Sequence, residues 1–266
     1  MDQTILIKRY VHGTGEIDDL TVGSVREIDR GMNVTAIDPL ETGRRARTRQ
    51  SLIDAGLRLL AQRPIDAIAI DDIVREAGVA KGSFYNHFQD KEALGRAIAT
   101  RIRLDVEARV DAVNAGVDDP ARRVARAVCV YLGHAITDPL PAGVLAQMSA
   151  QAASPSSPLN RGILDDVSRG LLSGRFDIPT AEAGVLFIIG VANQALAWAQ
   201  KDSSPTAAVA MGQQLCSLLL RGLGLIPAEA DQLAARAAHD VIERAGDTWK
   251  GPDSRFLEVS GIGGPT

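Results

Sequence analysis

Asp-Ile-Val-Arg-Glu-Ala-Gly-Val-Ala-Lys-Gly-Ser-Phe-Tyr-Asn-His-Phe-Gln-Asp-Lys occupies residues 72 to 91. The stretch reads as a short helix, a glycine turn and a second short helix. Ile73, Val74 and Ala77 form an inward face, and Gly78 supplies a turn position open to positive φ. Val79, Phe84 and Phe88 resume the apolar pattern, with the two phenylalanines four apart on one face. Lys81, Ser83, Tyr85, Asn86 and His87 point elsewhere, and all can hydrogen-bond. A short helix that anchors itself by apolar residues and displays this much donor chemistry suits the major groove of DNA. A helical hairpin with a solvated face is the competing reading.

The flanks favour the first reading. Upstream, Arg-Arg-Ala-Arg-Thr-Arg at 44 to 49 leads into a periodic helix through Leu52, Ile53, Gly56, Leu59 and Leu60. Downstream, Asp90 is placed to cap a long helix opening at Lys91-Glu92. From Thr48 to Leu94 the chain resembles the DNA-binding domain of the TetR family of transcriptional regulators. The resemblance rests on Gly78-Val79-Ala80-Lys81-Gly82-Ser83-Phe84-Tyr85-Asn86-His87-Phe88 and on Asp90-Lys91-Glu92-Ala93-Leu94 behind it.

That resemblance implies roles. Lys81, the backbone at Gly82, Ser83 and Tyr85 would lie nearest the base edges, while Asn86, His87 and Lys91 would sit against phosphates. His87 has a second reading as a structural histidine in a small core, and Tyr85 as a ring packed on the first helix. The arginines at 44, 45, 47 and 49 form an arm along the phosphates or into the minor groove, with Arg47 and Arg49 assigned to DNA. A solvated basic linker is the alternative. Three departures from the family pattern touch rigidity rather than the recognition helix. Ala69 replaces a capping Ser or Thr, offset by Asp71 and Asp72 in the first turn; Gly56 replaces a common alanine; Pro64 stands where glycine usually ends the first helix.

Charge agrees. Arg44 to Lys91 holds nine basic and six acidic residues, leaving +3, and with −4 over all 266 residues the remainder carries −7. Positive charge gathered in one small segment fits a DNA binder attached to a different kind of domain. With 45% apolar residues the chain can bury a proper core, and its two cysteines, Cys129 and Cys216, sit in apolar stretches as buried thiols of a reducing cytoplasm. Residues 1–30 show no signal-peptide pattern. Residues 1–43 read as a largely disordered extension, with Met32 as an alternative start, and 246–266 as a flexible tail.

Residues 93–245 are helical throughout, so the expected fold is all-α: a helix-turn-helix domain at 44–92 followed by a helical ligand-binding and dimerisation domain. Helices are expected near 91–114, 121–137, 159–172, 179–201, 205–222 and 227–244, with Pro179 and Pro205 as first-turn prolines and the Asp-Pro-Leu-Pro run from Asp138 as a break. Ala183 to Ala199 is apolar nearly all round, yet seventeen residues containing Asn193 and Gln194 make a poor membrane span. Such a helix is buried on all sides. Together with the next helix it offers a four-helix interface across a two-fold axis, as the resemblance also implies, with Ala183, Leu186, Gly190, Asn193, Ala197, Leu215 and Leu219 as interface residues. Burial within one subunit is the other reading.

His12, His87, His134 and His239 are scattered, so no metal site, no cofactor and no enzyme motif is expected. His134, Gln147, Gln151, Asn193 and Gln194 are polar positions in apolar helices, and none is assigned to a ligand. The resemblance implies a cytoplasmic homodimeric repressor on an inverted-repeat operator of double-stranded DNA, released by an unknown small-molecule effector, with no membrane partner. A helical module whose hairpin binds another protein is the alternative.

Overall fold

The computed structural model describes residues 39–148, 157–201 and 204–243. The expected extension, apart from its last residues, and the C-terminal tail lie outside them. The described residues are helical with no strand. Helix α1 spans Pro39–Leu60, α2 Ile70–Ala77, α3 Lys81–Tyr85 and α4 Lys91–Val113. Then come α5 at Pro120–Thr137, α6 at Pro139–Met148, α7 at Arg161–Leu172, α8 at Ala181–Ala199, α9 at Pro205–Gly222 and α10 at Pro227–Ala238. Short 3-10 turns at Ile65–Ala67 and Pro158–Asn160 join elements, and a π turn at His239–Glu243 continues α10.

The hairpin forms for the reasons its residues suggest. Gly78 ends α2 in the left-handed region at φ 66°, and the next amide, Val79, reaches back to the Val74 carbonyl at 3.0 Å. No side chain caps α2 at Ala69, and Asp71 and Asp72 stand in its first turn. Phe84 and Phe88 are buried with ring centroids 5.9 Å apart, against a floor that includes Leu52, Ile73 and Leu94. Asp90 accepts the Ala93 amide at 2.6 Å and so starts α4.

Gly56 has a packing role that the sequence reading did not include: a Cβ there would lie 2.7 Å from Ile98 Cδ1 and 3.0 Å from Leu94 Cδ2, both on α4. Gly56→Ala is therefore expected to cost about 1–3 kcal/mol by overpacking rather than to stabilise α1. Chemical denaturation checks this, and a stabilised variant would refute the packing argument.

Four further elements differ from expectation. Helix α1 begins at Pro39, inside the segment read as extension. The Asp-Pro-Leu-Pro run opens α6 instead of breaking the chain, because first-turn prolines lack only amides that the helix leaves unpaired. The Ala142 amide bonds the Asp138 carbonyl at 3.0 Å, which seats that first turn. Pro179 stands before the cap rather than in the first turn: Thr180 caps α8, accepting the Ala183 amide at 3.1 Å. Pro205 does open α9, behind its cap Ser204. Finally, α8 is not buried all round. It packs on α5, α6, α7 and α9, yet Leu186 and Phe187 are 46% and 43% exposed. By length and composition it could cross a membrane, but eight of its residues are buried in this domain.

Candidate functional site

Helix α3 turns its chemistry outward. Lys81, Gly82, Tyr85 and Asn86 are exposed, and Ser83 and His87 are half-buried. Tyr85 is 53% exposed while its neighbour Phe84 is fully buried, the two rings meeting edge to face at 5.5 Å. A tyrosine needed for packing would be covered, so the packed-ring reading of Tyr85 loses its basis. A Cβ at Gly82 would meet nothing within 4 Å, so no intramolecular contact demands glycine there. The Lys81 ammonium lies 2.8 Å from Asp71, and that hydrogen bond raises its pKa.

The arginine arm is part of α1. Arg47 is exposed, and Arg49 places its guanidinium 5.3 Å from the centre of the Phe88 ring. Partial burial, then the charges of Arg45 and Arg49, hold His87 below the ordinary histidine pKa. It is thus a neutral donor among cations at pH 7. Lys91 is already engaged: its ammonium donates to the carbonyls of Asp66 at 3.1 Å and Ile68 at 3.3 Å, tying α4 to the turn before α2.

The α8–α9 face is the second surface. Ala183, Leu186 and Gly190 are exposed, and Asn193, Ala197 and Leu215 are half-buried. A Cβ at Gly190 would meet nothing within 4 Å. Leu219 departs from expectation. It is fully buried in its own subunit, and the outward residue one position earlier is Leu218, 62% exposed. Leu218, Leu219 and Leu220 are consecutive leucines, so composition alone cannot say which one faces out. Phe187 bridges the helices by covering Gly222, whose Cβ would lie 2.7 Å from the ring.

A third feature was not picked out in the sequence. A cavity of about 40 Å³ lies between α4, α5, α7 and α8. Arg103 donates to Glu107 at 2.7 Å and to Asn160 at 2.9 Å, and Tyr131 donates to the same Glu107 oxygen at 3.0 Å. Arg123 donates to the buried Asp166 at 2.6 Å. Burial, then the nearby Glu107 charge, pushes the Tyr131 hydroxyl pKa well up, so it stays protonated. Asn193 from α8 joins this wall. The one sequence signal was an Arg-Glu pair four apart, at Arg103 and Glu107, beside the inward stripe Ile102, Val106 and Val110. His134 is instead a core group held by Arg109 at 3.1 Å and Asp138 at 3.3 Å. Gln147 and Gln194 are exposed, and Gln151 lies outside the described residues. No group of three or more metal-ligating side chains occurs among the described residues.

Comparison with known proteins matches both halves of this architecture. Residues 52–98 match the bacterial regulatory proteins of the tetR family, and residues 119–236 match the tetracyclin repressor-like C-terminal domain. The chain is 38% identical over 63 residues to the HTH-type transcriptional repressor DhaR of Mycobacterium sp. (strain GP1), covering 24% of this chain and 32% of that protein. It is 47% identical over 49 residues to the HTH-type transcriptional regulator YwcC of Bacillus subtilis (strain 168), covering 18% and 22%. The matched stretch thus spans about a third or less of either curated relative. Among solved structures, RolR in complex with resorcinol aligns at 29% identity and TM-score 0.60, over 73% of this chain and 96% of that one. A tetR family regulator from Shewanella sp. PV-4, at 17% identity and TM-score 0.57 over 67% and 99%, shares the fold. With its recognition hairpin and its helical domain each matched in order, the chain belongs to the TetR family of bacterial regulatory proteins.

Proposed function

We propose that this protein is a cytoplasmic, homodimeric transcriptional repressor that binds an inverted-repeat operator and is released by a small molecule held in its helical domain. The observation that carries the reading is α3, which buries Phe84 and leaves Lys81, Gly82, Tyr85 and Asn86 exposed. Two such helices on a palindrome double the readout and must sit about 34–36 Å apart or a multiple of that. The exposed apolar face of α8 and α9 supplies the pairing surface, with Ala183, Leu186, Gly190, Ala197 and Leu215 on it and Leu218 in place of Leu219, while Asn193 turns to the cavity wall instead. Ser83, Arg47 and Arg49 complete the DNA surface, Asn86 and His87 face phosphates, and Lys91 acts by holding the turn before α2.

Helix α4 links the two ends. Lys91 and Leu94 anchor it in the recognition domain, and Arg103 and Glu107 line the cavity, about 18 and about 24 Å along the helix from Lys91 at 1.5 Å per residue. A ligand that prefers the separation of α3 helices unable to match the operator shifts the population toward release. A 100-fold preference corresponds to about 2.7 kcal/mol. That RolR, a protein of similar structure, was solved in complex with the ligand resorcinol supports a small-molecule effector for this chain.

Selection of duplexes from a random DNA pool tests the reading. Enrichment of an inverted repeat is expected, with affinity falling steeply as salt rises. No enrichment by folded, refolded dimer would refute it and favour a protein partner for the hairpin.

A pH effect follows from His87, whose pKa in the free protein lies below the usual value. A phosphate facing it favours the protonated form, so DNA binding raises that pKa. Operator affinity is therefore expected to rise as pH falls from about 8 to about 6, by up to tenfold per unit of pKa gained at each site. His87→Gln should flatten the profile. An unchanged profile in that variant would remove His87 from the interface.

A further inference from the structure

An acidic side chain beside a DNA-reading helix needs a reason, because phosphates repel it. Helix α2 carries Asp71, Asp72 and Glu76. Asp72 faces Arg63 at 2.8 Å and also Arg75, and Glu76 faces Arg58 at 2.7 Å, so both are held by cations outside the recognition helix. Asp71 differs. Its carboxylate lies 2.8 Å from the ammonium of Lys81, the one charged side chain in α3. Both members of the pair are more than half exposed, and such a pair contributes little to folding. What it alters is the charge that α3 brings to the duplex. With Asp71 counted, that charge is zero.

Attraction shared by every duplex has another source. Arg44, Arg45, Arg47 and Arg49 stand exposed on α1. A lysine alone on α3 would add to this attraction, because it meets a phosphate on any sequence and releases a counterion there. Asp71 offsets that gain by bringing a carboxylate to the same phosphates. Base edges are a different surface. Lysine donates to guanine O6 and N7, and aspartate accepts from the cytosine amino group at N4, so one G·C pair engages both members. The spacing also agrees. Guanine O6 and cytosine N4 are hydrogen-bonded to each other, which sets them about 2.9 Å apart, and the ammonium and carboxylate lie 2.8 Å apart.

We infer, on the DNA-binding reading above, that Asp71 is a specificity-determining residue: it withholds Lys81 from phosphates and, with Lys81, reads a G·C pair in each half-site. The pair thus lowers affinity for arbitrary sequence and keeps it for the operator.

Anisotropy titrations of the full chain test this, with Asp71→Asn and Glu76→Gln compared against the wild type. The probes are the operator that the wild type selects and a scrambled duplex, over a range of salt. Each variant removes one carboxylate from α2, so any effect of net charge is common to both. Asp71→Asn is expected to bind the scrambled duplex more tightly. Its salt dependence there should steepen by about 0.9 per freed lysine, or about 1.8 for a dimer. Its preference for operator over scrambled duplex should fall at least about tenfold, the scale of one lost base contact. Glu76→Gln should keep the wild-type preference. Duplex selection repeated with Asp71→Asn should lose a G·C pair at one position of each half-site. A misfolded variant would weaken on both duplexes, whereas this one gains on the scrambled one. Unchanged preference and salt slope in Asp71→Asn, an equal fall in Glu76→Gln, or an unaltered selected site would each overturn the inference. A wild type that selects no duplex refutes the DNA-binding reading and this inference with it. A wild type that selects its operator, beside an Asp71→Asn variant that behaves identically, refutes the inference alone.

Discussion

Gly190→Glu is expected to split the dimer and abolish operator binding while leaving each subunit folded. The position is open: a Cβ there meets nothing within 4 Å, and it stands on the outer side of α8 with Leu186. Within one subunit the change is mild, because glutamate is a better helix former than glycine by roughly half to one kcal/mol. Across a two-fold axis it places two carboxylates in an apolar contact, where unpaired charge costs several kcal/mol. A loss of about 4 kcal/mol weakens the dimer roughly a thousandfold. Sedimentation velocity should show monomer with the wild-type helical circular dichroism signal, and operator binding should fall with it. An intact dimer would move the interface away from the α8–α9 face.

Tyr85→Ala and Lys81→Ala should abolish specific binding from the other side, with the dimer untouched. Tyr85 is half exposed and meets Phe84 only at an edge, so its removal disturbs little of the recognition core. Lys81 pairs with Asp71 where both are exposed, and such pairs contribute little to stability. Its loss acts on DNA twice, by removing a cation and by leaving Asp71 without a partner near the phosphates. A base-edge contact is worth about 1–3 kcal/mol, and each change is felt in both subunits. Affinity for the selected operator should therefore drop by about a hundredfold to ten-thousandfold for each variant. Fluorescence anisotropy against operator and scrambled duplexes separates lost specificity from lost charge. Undiminished operator affinity would mean that α3 is not the reading helix.

The recognition hairpin was legible because its determinants are local. Gly78 needs a positive φ, Asp90 caps the helix that follows it, and Phe84 and Phe88 share a face four residues apart. Each acts within a few residues and leaves a mark in the order of the chain. The sequence did suggest an apolar helix near 179–201 that had to be covered, and left open whether a second subunit or its own domain covers it. Periodicity says little within the run Leu218-Leu219-Leu220, where only packing shows that Leu218 faces out and Leu219 in.

By itself, then, the amino-acid order determined the hairpin, its caps, the helical character of the rest and the family. Tertiary packing decided the remainder. It brought Cys129 and Cys216, 87 residues apart, to within 3.7 Å in the core. It made Gly56 a point of close helix approach and built one polar cavity from four helices. These features depend on which faces meet, and burial belongs to a pair of surfaces rather than to either helix alone. Beyond the four-residue spacing of Arg103 and Glu107, no local pattern says that Tyr131 and Asn193 converge on them, because the helices carrying them are positioned by the core between them.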